Sequence, residues 1–212
     1  MAVSGVILLL FVIGHLVGNL QIFAHPDVIN KYAHFLQNLG PGLWAVRLIL
    51  LGAVVAHIWA AVELTLENRR ALPERYEADD TIQASYASRT MRISGFIVLA
   101  FILFHLAHFT VQIVDTEYRD LYTKTVDGMV VHDVHTMMVK GFQNLWISGF
   151  YIIAVGLLSV HLRHGIASMF QSIGWRNAKI AVPLDKASIG LSILYFAGNA
   201  AIPLAILAGI VS

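Results

Sequence analysis

Six of the ten histidines in this chain lie inside long apolar stretches: His15, His57, His105, His108, His161 and His164. An ionisable side chain at membrane depth is costly to keep there, so it marks function by default. Neutral imidazoles in an apolar bundle suit bis-histidine ligation of heme b, because the porphyrin is large and apolar and its iron takes one imidazole from each face. Two hemes need four histidines on facing helices. Small residues stand beside the candidates, as a porphyrin close to a backbone requires: Gly14 and Gly18 around His15, Gly52, Ala56 and Ala60 beside His57, and Gly165 one turn after His161. The same small-residue spacing also serves plain helix packing.

Other metal chemistries fit less well. A di-iron carboxylate centre needs a Glu from each of two helices and two Glu-x-x-His motifs, and the apolar stretches hold only Glu63. Zinc on the HLAH (105–108) and HLRH (161–164) pairs is a rival, but four histidines spread over four stretches suit heme better. The chain has no Cys, which excludes disulfide frameworks, Cys-ligated metal centres and thiol catalysis.

The elements that must position these residues are membrane helices. Of the 212 residues, 58% are hydrophobic and 13% charged, with a mean hydropathy of +0.71. That excludes a disordered chain and a soluble enzyme of ordinary make-up. Lys plus Arg is 14 against 13 for Asp plus Glu, so there is no basic field to hold a nucleic acid. Five stretches reach the roughly 20 apolar residues a membrane helix needs: 1–23, 43–66, 91–114, 142–170 and 187–211. The expectation is an all-α integral membrane protein, one domain over 1–212, folded as a five-transmembrane-helix bundle. No alternating pattern points to strands. Span one lacks a basic flank and is too long in its apolar run for a signal peptide.

Lys and Arg divide nine to five between the two sides, which puts the N-terminus in the cytoplasm and the C-terminus outside. The connection 24–42 is amphipathic and should lie along the outer surface. The connection 67–90 is polar and inside, where a soluble partner could dock. The outer connection 116–141 carries His132 and His135.

Depth then pairs the histidines. Spans one and three run outward, two and four inward. His15 lies eight residues before the end of its span and His105 nine, so both sit toward the outer face. His57 and His161 each lie nine before theirs, toward the inner face. One heme is thus expected on His15 and His105 (distal) and one on His57 and His161 (proximal). His108 and His164, one turn further on, remain alternative ligands.

At these residues the chain resembles the membrane-anchor cytochrome b of succinate dehydrogenase/fumarate reductase, the di-heme type with one five-helix polypeptide. The matching segments are GHLVGNLQIFAHPDVINKYAHFLQNLG at His15, RLILLGAVVAHIWAAVELTLENRRALP at His57, ASRTMRISGFIVLAFILFHLAHFTVQ at His105 and MVKGFQNLWISGFYIIAVGLLSVHLRHGIASMFQSIGW at His161. Together they cover nearly the whole chain.

The resemblance implies a subunit of succinate:quinone oxidoreductase in a bacterial cytoplasmic (inner) membrane. Such a subunit anchors a flavoprotein with FAD and an iron–sulfur subunit, and passes electrons through the proximal and distal heme b to quinone. It does not oxidise succinate alone. The complex can form a higher-order oligomer among membrane lipids. The resemblance implies ligands on the first four helices, paired one with three and two with four. It favours His161, followed by Gly four residues on, and His105, in an HL dipeptide. It implies menaquinone rather than ubiquinone, near the distal heme. Polar residues on that side are Asn19, Gln21, Tyr32, His34 and Gln37, of which Tyr32 and His34 offer the proton relay a quinone needs.

Two features depart from the pattern. The residues that precede helix one in the family, some of which help hold a propionate, have no counterpart. Ser159 stands where some members carry a Glu of a transmembrane proton path, so that path is not carried over. Two alternatives stand beside this reading: a di-heme anchor of another quinone-linked dehydrogenase, and a transporter that uses its buried histidines for metal or protons.

Overall fold

The computed structural model describes residues 1–71, 86–115 and 123–212. Its order is α1 (Ala2–Asn19), a 3-10 turn (Leu20–Phe23), α2 (Pro26–Gln37), α3 (Pro41–Ala71), α4 (Tyr86–His105) running into a π turn (Leu106–Thr110), a hairpin of β1 (Thr123–Val126) and β2 (Met129–His132), α5 (Val134–Gln143), α6 (Leu145–Ser172) and α7 (Ala181–Leu207). Five helical segments are long and apolar enough to cross a membrane: Ala2–Phe23, Pro41–Ala71, Met91–Thr110, Leu145–Ser172 and Ala181–Leu207. The sequence-based spans therefore correspond one to one with helices, with shifted ends.

Each shift has a local cause. Asn144 caps α6, its side chain accepting from the amides of Trp146 (3.0 Å) and Ile147 (3.3 Å). The expected fourth span is thereby split into the end of α5 and the start of α6. α7 begins six residues earlier than expected, because Asp185 and Lys186 sit inside its first turns. There Asp185 takes a two-pronged bond from Arg176, both contacts at 2.9 Å. It ends near Gly209, whose φ of +70° suits a glycine helix stop. The third span leaves the α-helical ladder after His105 and closes before Gln112, which adopts a φ of +57°.

The strands were not expected. Residues 123–132 form an antiparallel hairpin in register Thr123↔His132. Its turn is Asp127-Gly128, with φ of +50° and +78°, the left-handed pair that a tight hairpin requires and that Asp-Gly supplies readily. The hairpin and α5 pack on α2. Two ion pairs tie hairpin to helix: Lys31 with Asp127, and Lys124 with Asp27 at 2.8 Å. Asn30 is fully buried beneath them, donating to Asp133 (2.9 Å) and accepting from the amide of His135 (2.9 Å).

In the bundle α6 is central, packed on α1, α4 and α7, whereas α3 packs principally on α1. The buried apolar core gathers around α5, α6 and α7, with Phe101, Phe142 and Tyr151 meeting edge to face. Residues 72–85, most of the connection 67–90 where a soluble partner was expected to dock, lie outside the described residues.

Candidate functional site

Two histidine pairs face each other across helices that are distant in sequence. His15 on α1 and His105 on α4 have ring centroids 5.7 Å apart. His57 on α3 and His161 on α6 have theirs 6.4 Å apart. A metal held by two imidazoles at about 2.0–2.1 Å from each donor nitrogen puts the centroids about 6.3 Å apart. The second separation is close to that figure and the first is about 0.6 Å shorter, so each pair is spaced to share one metal. His57 touches the helix at Gly5, and His15 lies ten residues further along α1. At 1.5 Å per residue the two pairs are separated by about 15 Å along the helix axis.

The second pair lines an open cleft of about 100 Å³, with Gly5, Met91, Gly165 and Met169 among its walls. A Cβ on Gly14, Gly52 or Gly165 would meet nothing within 4 Å, so free space lies against all three backbones. Gly18 differs. A Cβ there would lie 2.7 Å from the Tyr32 ring, so this glycine is a seat for Tyr32 and not a wall for a planar group.

The alternative ligands are placed differently. His108 is fully buried against Phe109, with centroids 4.0 Å apart. Its Nδ1 lies 3.0 Å from the Tyr151 hydroxyl, which is also 3.4 Å from Nδ1 of His105. Among the described residues Nε2 of His108 has no hydrogen-bond partner, and the Asp115 carboxylate is 4.0 Å away. His164 is not among the residues lining the cleft of His57 and His161. No three metal-ligating side chains converge among the described residues.

The polar residues set aside for quinone lie on α1, the 3-10 turn and α2, three elements that pack on one another. Asn19 ends α1, Gln21 sits in the 3-10 turn, and Tyr32 is packed on Gly18. Tyr32 and His34 are two residues apart on α2, hence about 200° around the helix from each other. The Asn38 amide donates to Nε2 of His34 at 2.8 Å, and Gln37 is exposed.

Sequence reasoning passed over Gln112, His132 and Met137 as a cluster: the Gln112 amide donates to Nε2 of His132 at 3.1 Å and to the Met137 sulfur at 3.0 Å. Burial holds the imidazole of His132 below its usual range, against the pull of Asp133. The same two influences act on His135, again with burial prevailing.

Sequence reasoning also missed three hydroxyls. Ser4 lies 3.3 Å from Nδ1 of His57, Ser94 lies 3.3 Å from Nδ1 of His161, and Tyr151 lies between His105 and His108. One signal could have found the two serines. Sliding the chain by ninety residues superposes Met1, Ser4, Gly5, His15 and Leu16 on Met91, Ser94, Gly95, His105 and Leu106. Gly52 and His57 on α3 recur with the same spacing as Gly156 and His161 on α6. Helices α1 and α3 thus give one histidine to each pair, and so do α4 and α6. Compared with known proteins, the chain matches no family model, no curated protein and no solved structure.

Proposed function

We propose that this chain is a di-heme b membrane anchor, the cytochrome b subunit of a succinate:quinone oxidoreductase. The observation that carries the reading is the pair of facing histidine couples, 5.7 and 6.4 Å between centroids, stacked along one bundle of membrane helices. His15 and His105 would hold one heme, His57 and His161 the other. Heme when bound supplies one-electron transfer, here between an iron–sulfur partner and a membrane quinone, menaquinone by the family resemblance.

The chain's own residues do the rest. Four neutral imidazoles are the donors. The open backbones at Gly14, Gly52 and Gly165 leave room for a planar group. All four imidazoles sit on helices apolar enough to cross a membrane. An iron–sulfur subunit and an FAD flavoprotein would sit on the cytoplasmic side, where the N-terminal ends of α1 and α4 bring His57 and His161 nearest.

The test is a dithionite-reduced minus oxidised spectrum of the purified membrane protein, with heme quantified per chain. Two hemes b per chain are expected, and one in His57→Ala. Absence of heme from freshly prepared, folded protein would sink the reading and bring the transporter forward. Two hemes with partners other than a flavoprotein and iron–sulfur pair would make the chain the anchor of a different dehydrogenase.

A further inference from the structure

We infer that Ser4 and Ser94 are matched positioning residues that lock His57 and His161 in the tautomer protonated on Nδ1, so that both present a bare Nε2 to one metal. The inference rests on the di-heme reading above and deepens it.

A hydroxyl has one proton and two lone pairs. The Ser4 hydroxyl donates to the carbonyl of Met1 at 2.9 Å, and the Ser94 hydroxyl to that of Met91 at 3.0 Å. With its only proton committed three residues back along the helix, each Oγ can only accept from a second neighbour. In both cases that neighbour is an imidazole Nδ1 at 3.3 Å. The proton of that contact must therefore come from the ring, which leaves Nε2 with its lone pair free.

Back-bonding of a helical serine to its own turn is common and means little by itself. Here the same hydroxyl reaches a histidine on another helix, and it does so twice. Ser4 and Ser94 are buried, at 9% and 3% exposure, so water does not compete for these bonds. Gly5 and Gly95 follow the serines. A Cβ on either would lie 3.7 and 3.8 Å from Cε1 of the same rings, in ordinary contact, so both rings rest against the glycine as well as the serine.

Among the described residues the other couple has no such serine. His105 shares the single Tyr151 hydroxyl with His108, at 3.4 and 3.0 Å. A hydrogen bond from Nδ1–H to an acceptor strengthens the imidazole as a donor to metal, and a stronger donor favours ferric over ferrous iron. The serines thus act on one heme of the two.

The experiment is a potentiometric titration of the two heme b components in the purified full chain, with heme per chain, for the wild type, Ser4→Ala/Ser94→Ala and Ser4→Thr/Ser94→Thr. In the alanine variant one component should titrate at a higher potential while the other stays, and the threonine variant, which keeps both hydroxyls, should return it toward the wild type. Loss of one heme in the alanine variant with its retention in the threonine variant supports the same conclusion. Two hemes with unchanged titrations in the alanine variant would overturn it. So would equal movement of both components, or loss of one heme in the threonine variant as well. A wild type without heme removes the di-heme reading itself, an outcome seen before any serine variant is compared.

Discussion

His161 and His164 are one turn apart on α6, yet only His161 faces His57 across the cleft. Replacing His164 by Ala should leave two hemes per chain, whereas His161→Ala should leave one; heme per chain by pyridine hemochrome measures both. A loss in the first variant would exchange the two roles. Tyr32 teaches the opposite lesson about glycine. Gly18 looks like a groove for a planar group when only the sequence is read, but the Tyr32 ring already fills it at 2.7 Å from where a Cβ would stand. The small-residue argument therefore holds at Gly14, Gly52 and Gly165 and fails at Gly18.

At the scale of elements, the hairpin, α2 and α5 form a polar cap on the bundle, and its central residue is Asp133. This carboxylate caps α5 by accepting from the Thr136 amide (3.1 Å) and hydroxyl (2.8 Å), and it also accepts from Asn30. Partial burial works to raise its pKa, but the bonds from Asn30 and Thr136, with help from the charge of Lys124, hold it below the usual carboxylate range. A depressed carboxyl stabilises the fold fully above its unfolded value of about 4, and that contribution is lost as pH falls through the lower folded value. The cap should loosen below about pH 4. Asp133→Ala should loosen it already at neutral pH, by about 1–2 kcal/mol for a lost helix cap. Rate-corrected hydrogen exchange of the amides in 26–37 and 134–143 reads both effects. Equal protection in variant and wild type at neutral pH would show that Asp133 does not hold the cap. The exposed pairs Lys31–Asp127 and Lys124–Asp27 add little energy; they fix which face of the hairpin meets α2.

At the scale of the whole molecule, α3 is the least supported helix. It has 31 residues, about 46 Å, and rests principally on α1, while α6 and α7 share an extensive interface. The His57–His161 couple links its middle to α6 across the cleft. Ligand bound to both sides of such a gap stabilises the closed arrangement by mass action. Because the chain has no Cys, labels at Leu64→Cys and Ser172→Cys can report the α3–α6 distance cleanly. Spin-label distances should be narrowly distributed in the heme-loaded protein and broad in His57→Ala. The same narrow distribution in both would mean that packing, and not ligation, holds α3.

The number of membrane helices, the histidine ladder and the pairing of histidines by depth are all legible in the sequence. Each depends on one-dimensional quantities, the apolar length of a segment and the rise per residue, which act within a helix without reference to its neighbours. The matching Ser-Gly steps at 4–5 and 94–95 are equally written there, but the match shows only when the chain is compared with itself at a separation of ninety residues. The Asp127-Gly128 turn also stands in the sequence; its flanking strands are too short to announce themselves without α2 to pack on. Depth says nothing about rotation around a helix axis. Which histidine of each HLxH pair faces its partner, that Tyr32 occupies Gly18 and that two serines reach the imidazoles of other helices were decided by tertiary packing, because only the neighbouring helix determines which side of a uniformly apolar cylinder turns inward.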